Sequence, residues 1–131
     1  MDEPSRTTWS GIFGVTVTPF TSDAAHVDDE ALTALADAML EDGIDRIVVN
    51  GHAGEYLSMT EPERRRVVEI AGRAAIGRSR LFIVGVGGTV GEALASAQHA
   101  AANGADAGMV HHPNHPFVSP DGLLGYLDAI A

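Results

Sequence analysis

The sequence contains neither cysteine nor lysine. The lack of cysteine excludes a disulfide scaffold and thiolate metal sites, and it is compatible with the cytoplasmic location that we expect. The lack of lysine excludes a Schiff base on a lysine side chain of this chain. All 8 basic residues are arginines, against 18 acidic residues, and the formal net charge is −10. We therefore expect the chain to bind neither nucleic acid nor an anionic membrane surface, since both need clustered cations.

Long apolar runs are also missing. No hydrophobic stretch approaches the roughly 18 residues of a membrane span, and the first ten residues are mainly polar, so we expect no signal peptide either. The composition is that of a globular protein, because 45% of the 131 residues are hydrophobic. We divide the chain into an N-terminal tail, residues 1–10, and one folded region, residues 11–131.

Signals for the start of a helix recur along the chain about every 30 residues. Two of them are capping boxes, in which a glutamate lies three residues after a threonine. A third has aspartate at the N-cap, and the fourth has serine followed by proline. The four predicted N-cap residues are Asp28, Thr60, Thr89 and Ser119. Even spacing of this kind indicates a repeated structural unit.

A short apolar run precedes each predicted helix. The runs are rich in β-branched residues and nearly continuous, as in strands that are buried on both faces of a parallel sheet. They comprise residues 12–17, 47–49, 81–84 and 108–110. Strand and helix thus alternate four times, which predicts an α/β fold with a parallel sheet and right-handed crossovers.

The regular period favours a (β/α)8 TIM barrel, of which these residues would form the first four units, a half barrel. The last helix ends on apolar residues without a C-cap, so we expect the chain to be cut inside helix 4. A compact flavodoxin-like domain is the alternative. In both architectures ligands bind at the carboxyl ends of the strands, which makes the following loops candidate sites. These loops comprise residues 18–20, 50–55, 85–88 and 111–116.

The glycine-rich loop after the third strand, residues 85–88, does not have the spacing of a dinucleotide-binding fingerprint. The position of the third glycine of that fingerprint is occupied by Val90. We therefore expect no nicotinamide cofactor.

Five short motifs follow one another in a fixed order. They are Val-Thr-Pro-Phe at 17–20, Gly-x-x-Gly-Glu at 51–55, Leu-Ser-Met-Thr-Glu-x-Glu-Arg at 57–64, Gly-Val-Gly at 85–87 and Gly-Ala-Asp-Ala at 104–107. This ordered set resembles the dihydrodipicolinate synthase/N-acetylneuraminate lyase family, from about Gly11 to the end of the chain. The resemblance implies a TIM barrel in a homo-oligomer, usually a tetramer. It also implies a lyase without a cofactor, in which a lysine forms a Schiff base with pyruvate or another 2-keto acid for aldol condensation, cleavage or dehydration.

The sequence departs from this family at two places in the implied active site. The two residues inside the G-x-x-G-E loop usually carry hydroxyl groups, the first in a proton relay and the second at the carboxylate of the keto acid; here they are His52 and Ala53. The family's Pro-Tyr-Tyr motif places its second tyrosine in the relay, often across a subunit interface. The corresponding segment here is Pro113-Asn114-His115.

These departures lead to the predicted site. Imidazole both accepts and donates a proton near neutral pH, so we expect His52 and His115 at the catalytic relay positions. We expect Gly51, Ala53 and Gly54 to bind the substrate, with Ala53 offering only its backbone N–H to the carboxylate. The alternative is that His52 is an ordinary polar loop residue and His115 a surface residue.

Other residues near the predicted site have a weaker claim to function. A metal site could combine His52, His111, His112 and His115, but no carboxylate ligand is obvious, and we expect no metal. We interpret Glu55 as a structural residue that caps or anchors its loop. The sequence assigns no role to Tyr56 or Trp9.

In the resembled family the Schiff-base lysine comes from the sixth strand, beyond residue 131. We therefore expect these 131 residues alone to be inactive on pyruvate. The first and fourth strands would also be open sheet edges. The competing interpretation is a truncated, non-catalytic half barrel that dimerises or has no activity.

Overall fold

The computed structural model describes residues 9–131 of the chain. Residues 1–8 of the predicted tail lie outside the described part, and Trp9 is exposed. Strands and helices alternate as the sequence predicts. The strands are β1 (Phe13–Val15), β2 (Arg46–Val49), β3 (Leu81–Val86) and β4 (Ala107–Val110), and the helices are α1 (Asp29–Glu41), α2 (Glu61–Ala75), α3 (Val90–Ala102) and α4 (Pro120–Ile130). A 3₁₀ turn, Tyr56–Ser58, lies between β2 and α2.

The four strands form one parallel sheet in the order β1-β2-β3-β4. Each strand therefore pairs with the next strand along the chain, as in a barrel. A flavodoxin-like sheet has the order 2-1-3-4-5, in which the chain reverses direction after the first two strands. The barrel prediction is confirmed, and the flavodoxin-like alternative is wrong.

All four predicted helix starts are confirmed. The Asp28 carboxylate accepts a hydrogen bond from the backbone N–H of Ala31 at 3.0 Å, and the Ser119 hydroxyl accepts one from Gly122 at 3.0 Å. Capping boxes form at Thr60 and Thr89. These side chains satisfy N–H groups that have no partner inside the helix, so the helix starts are determined locally.

The observed strands differ in length from the predicted ones. β3 extends through Gly85 and Val86, which were assigned to the following loop, because these two residues pair with Met109 and Val110 of β4. β1 contains only Phe13–Val15, although the Thr16 N–H still donates to the Val48 carbonyl at 3.0 Å. The loop after β3 therefore begins at Gly87.

The two faces of the sheet differ in how completely they are covered. One face packs against the helices and forms the main core, whose members include Ile47, Val49, Phe82, Val84 and Val86. The opposite face holds a smaller cluster of Val48, Leu81 and Ile83. Two apolar side chains on this second face are substantially exposed, Val15 at 46% and Met109 at 38%. In a closed barrel the second face lines the interior.

None of the helices in the part of the chain from residue 9 to 131 has the length and hydropathy needed to cross a membrane.

Candidate active site

The predicted loop between β2 and α2 begins at a strained residue. Asn50 is buried and has a φ of +56°, in the left-handed region that asparagine tolerates better than most residues. Its side-chain Nδ2 donates a hydrogen bond to the Arg64 carbonyl at 3.1 Å. This bond ties the end of β2 to the first turn of α2, so the loop between them starts and ends at fixed points.

Hydrogen bonds inside the loop close it into a compact turn. The Gly51 carbonyl accepts from the N–H groups of Gly54 at 3.1 Å and Tyr56 at 3.3 Å. The buried Thr18 hydroxyl, which follows β1, donates to the Gly54 carbonyl at 2.7 Å. A Cβ at residue 54 would lie 3.2 Å from the Thr16 carbonyl oxygen, so glycine allows the close approach to β1.

The predicted site residues of this loop divide into two groups. Gly51 and Gly54 are buried, whereas His52 and Ala53 are exposed. Within residues 9–131, the N–H groups of His52 and Ala53 donate no backbone hydrogen bond. These two N–H groups are therefore available to an acceptor such as a carboxylate.

Glu55 contributes to the loop through its backbone. It has a φ of +62°, and its N–H donates to the His52 carbonyl at 3.0 Å. Its carboxylate makes no capping hydrogen bond to the 3₁₀ turn that follows. Of the two structural roles predicted for Glu55, side-chain capping is therefore not observed, whereas its left-handed backbone directs the chain from the loop into the turn.

His111 lies directly after β4 and contacts the loop across β3. Its Nε2 is 2.8 Å from the Asn50 carbonyl oxygen. A carbonyl only accepts, so Nε2 carries the hydrogen and Nδ1 of the neutral ring carries a lone pair. The contact passes over Gly85, where a Cβ would lie 1.9 Å from the Asn50 oxygen and 2.7 Å from His111 Nε2. Glycine is therefore required in β3 for this hydrogen bond to exist.

Three other side chains lie around His111. Two of them contact its ring, and the third lies over the ring of Tyr56. Tyr56 stacks on His111 with ring centroids 4.2 Å apart, and His52 meets it edge-on at 4.8 Å with an interplanar angle of 69°. The Arg64 guanidinium carbon lies 4.5 Å from the centroid of the Tyr56 ring. The exposed His52 is thus held beside a buried aromatic pair.

Burial controls the charge of this aromatic pair. It lowers the pKa of His111, and the hydrogen bond to Asn50 opposes this only in part. Burial also raises the pKa of Tyr56, against the smaller opposite effect of Arg64. Both rings are therefore uncharged at neutral pH.

His115 occupies a different place from His52. It is exposed, its Nδ1 accepts a hydrogen bond from the Phe117 N–H at 3.1 Å, and its ring lies 5.6 Å from that of Phe117. It lines a cleft of about 390 Å³, together with Tyr56, Arg64, Thr89 and His111. Among the described residues, no hydrogen bond or ring contact joins His115 to His52. The structure brings His52 to His111, and it does not bring the two predicted relay residues together.

The sequence predicted no role for Asn50 or Tyr56, and it indicated His111 only as a possible metal ligand. No group of three or more histidine, aspartate or glutamate side chains in the described part of the chain is placed to hold a metal ion. One signal could have revealed His111. Side chains alternate between the faces of a strand, so a histidine two residues after Met109 falls on the face opposite the helices.

The sequence and the structure were compared with those of known proteins. The sequence profile of the Dihydrodipicolinate synthetase family matches residues 8–131. A 4-hydroxy-tetrahydrodipicolinate synthase from Salinibacter ruber is 39% identical over 122 residues, which are 92% of this chain and 40% of that protein. A probable 5-dehydro-4-deoxyglucarate dehydratase from Bacillus subtilis is 31% identical over 92% of this chain and 39% of that protein.

A solved structure supports the same relationship. A prophage protein of the dihydrodipicolinic acid synthase family from E. coli K12, in complex with pyruvate, superimposes with a TM-score of 0.86 at 30% sequence identity. The alignment covers 94% of this chain and 41% of that one. The chain therefore spans about two fifths of the length of the relatives that it matches. By its sequence and by its fold, the chain belongs to the dihydrodipicolinate synthetase family.

Proposed function

We propose that this chain provides the first half of the active site of a lyase that acts on pyruvate or a related 2-keto acid. The observation that carries the proposal is the β2–α2 loop. It keeps the buried glycines of the family's G-x-x-G-E motif, it is tied to β1 and α2 by hydrogen bonds, and it presents His52 and Ala53 on its exposed side. The E. coli relative, which is described in complex with pyruvate, supports this substrate class.

The carboxylate of the keto acid binds to the loop backbone in this proposal. The N–H groups of His52 and Ala53 have no backbone acceptor among the described residues, and a carboxylate is a suitable acceptor for two neighbouring N–H groups. Ala53 lacks the hydroxyl of its family counterpart. The chain therefore binds the carboxylate with one hydrogen bond fewer at this residue.

His52 transfers protons at the reacting carbons. It replaces a relay hydroxyl, it is exposed toward the loop surface, and its ring is held against His111 at 4.8 Å. His115 is separated from His52 in this chain, so we propose that it completes the relay of a neighbouring subunit in a homo-oligomer, as its family counterpart often does. We also propose that the protein is located in the cytoplasm.

The Schiff-base lysine must come from outside these residues, because the sequence has none. We propose that residues 11–131 are the N-terminal half of a barrel domain and that four further β/α units supply the lysine. The coverage of about 40% of the Salinibacter ruber protein supports this. The coding sequence that follows Ala131 tests it, and a lysine at the end of a sixth strand is the expected finding.

A mixing experiment tests the activity without knowledge of the second substrate. The reagent is the complementing segment, defined as the remainder of the Salinibacter ruber protein outside the region that this chain matches. Formation of a pyruvate Schiff base on its lysine expels water, and loss of a methyl proton then gives the enamine. In D₂O we expect the methyl protons of pyruvate to exchange when both polypeptides are present and not with either alone, as measured by proton NMR.

The relay role of His52 is tested in the same assay. His52→Ala should slow the methyl exchange about 100-fold, because general acid–base groups contribute factors of this size. His26→Ala is the matched control, since His26 is also an exposed loop histidine. Unchanged exchange with His52→Ala would show that His52 has no part in proton transfer.

A second candidate function is a non-catalytic half barrel that dimerises. The exposed apolar side chains Val15 and Met109 on the second face of the sheet favour it, because such a face is stabilised when another chain covers it. A stable dimer that remains intact in the presence of the complementing segment, with no pyruvate exchange, would favour this second function over the first.

A further inference from the structure

We propose that His111 is a positioning residue that holds the β2–α2 loop, and with it His52, in the orientation needed for proton transfer. The proposal rests on the proposed function for the role of His52. It adds a residue directly after β4 that the sequence motifs do not include. His111 acts through the loop, because its contacts are with Asn50, Tyr56 and His52.

The hydrogen bond from His111 to Asn50 anchors the start of the loop. The Asn50 carbonyl lies directly after β2, where the chain turns, and His111 Nε2 donates to it at 2.8 Å. Asn50 has the unfavourable φ of +56°, so it needs such contacts to stay in this conformation. Its side chain and its carbonyl are held from two directions, by the Arg64 carbonyl and by His111.

The side chain and the backbone of His111 are both held in place. The ring is 7% exposed and stacks on Tyr56, which is 5% exposed. Its backbone N–H donates to the Val86 carbonyl at 2.8 Å, which continues the pairing of β4 with β3. A Cβ at residue 87 would lie 3.1 Å from both the His111 Cβ and the Tyr56 hydroxyl oxygen. His111 therefore transmits the rigidity of the sheet to the loop.

His111 also contacts His52, the proposed relay residue. His52 is exposed, but its ring contacts the His111 ring in a T-shaped arrangement that limits its rotation. His111 remains a neutral ring there because burial disfavours its charged form, and this effect outweighs the opposing effect of the hydrogen bond to Asn50. A neutral His111 places no positive charge beside the His52 ring.

Nitrogen-15 NMR of the imidazole rings tests the anchor in the unmodified 131-residue chain. We expect His111 to show a protonated Nε2 and an unprotonated Nδ1 at pH 7. The charged or titratable groups that face it are His52 and Tyr56 from the loop, Arg64 from α2, and the adjacent His112. The opposite tautomer, or an imidazolium at pH 7, would overturn the proposal.

Hydrogen exchange tests the effect on the loop. His111→Phe keeps an aromatic ring for Tyr56 and His52 but removes the donor to Asn50. We expect the amides of Gly54, Glu55 and Tyr56 to exchange about 10-fold faster, as the loss of one buried hydrogen bond permits, while the Val84 amide in β3 changes less. His112→Phe is the matched control, because His112 is exposed and its Nδ1 lies 3.0 Å from the carbonyl oxygen of the neighbouring Pro113, outside the β2–α2 loop. Equal acceleration of loop and core amides, or none, would refute a positioning role.

A double-mutant comparison separates this proposal from the proposed function. In the mixed system, His111→Phe should slow pyruvate methyl exchange about 10-fold in the otherwise unmodified chain and less than about 2-fold when His52 is already alanine. Equal slowing in both backgrounds would contradict action through His52. If the mixed system shows no exchange at all, the proposed function fails, and the two NMR measurements still decide whether His111 anchors the loop.

Discussion

At the residue scale, the geometry of the candidate site depends on one position without a side chain. Gly85 lies between the Asn50 carbonyl and the His111 ring, and any Cβ there would overlap the carbonyl oxygen. The site therefore depends on the absence of a side chain at this position of β3. The sequence shows a glycine, but only the pairing of β3 with β4 shows what the glycine makes room for.

Gly85→Ala is expected to lower the free energy of unfolding by about 3 kcal/mol or more, because the added methyl group must displace the backbone of β2. Gly125→Ala is the matched control. Apart from the backbone of α4 itself, no described residue lies within 4 Å of a Cβ at residue 125, which is inside α4, so this variant should be about 0.5–1 kcal/mol more stable than the parent. Urea unfolding measures both. Similar stability of the two variants would contradict the described packing around Gly85.

The pH dependence of stability provides a second prediction at this scale. Burial lowers the pKa of His111 below its ordinary value of 6.5, so the unfolded chain binds a proton at this residue more readily than the folded chain. The free energy of unfolding should therefore fall as the pH drops below 6.5, until the pH reaches the lowered pKa of the folded state. His111→Phe should remove this part of the pH dependence. A slope that is identical in both proteins would show that other groups produce it.

At the scale of the secondary-structure elements, the helix starts are local features. Thr89 accepts a hydrogen bond from the Glu92 N–H at 3.2 Å, and Glu92 accepts one from the Thr89 N–H at 2.7 Å. Both bonds connect residues three positions apart, so the sequence alone predicts them. The same argument applies to the other helix starts, which is why all four were predicted correctly.

Thr89→Ala is expected to cost about 1 kcal/mol of stability, because it leaves an N–H group of α3 without an acceptor. Thr33→Ala is a suitable comparison. Thr33 lies inside α1, where its hydroxyl donates to the Asp29 carbonyl at 2.7 Å, and alanine is the better helix former there. We expect this second variant to be neutral or slightly stabilising in thermal unfolding. A larger loss from Thr33→Ala than from Thr89→Ala would argue against the capping box.

At the scale of the whole molecule, the sequence predicted the number, order and type of elements because each depends on short segments. It did not predict the role of Tyr56 or His111, because their contacts join residues that are distant in the chain. It also ended β3 too early, since glycine is typical of turns and only the register with Met109 keeps Gly85 in the strand. The contacts between residues that are distant in the chain could be identified only from the structure.

The second face of the sheet leads to a prediction about association. Val15 and Met109 are exposed there, and β1 and β4 are the edge strands of the described sheet. The isolated chain should self-associate as its concentration rises about a hundredfold, which sedimentation velocity detects. Met109→Glu should weaken this association, whereas Ile76→Glu, at an apolar residue that is 63% exposed after α2, should not. Equal effects of the two variants would indicate non-specific aggregation.

The most direct test of the central claim, that this chain is the carboxylate-binding and proton-transferring half of a Schiff-base lyase, is reductive trapping with pyruvate and borohydride. Peptide mapping by mass spectrometry then locates the adduct. We predict a lysine adduct on the complementing segment only when this chain is present, and no side-chain adduct on this chain, which has no lysine. A side-chain adduct on this chain, or trapping on the complementing segment that is equally efficient without it, would contradict the account.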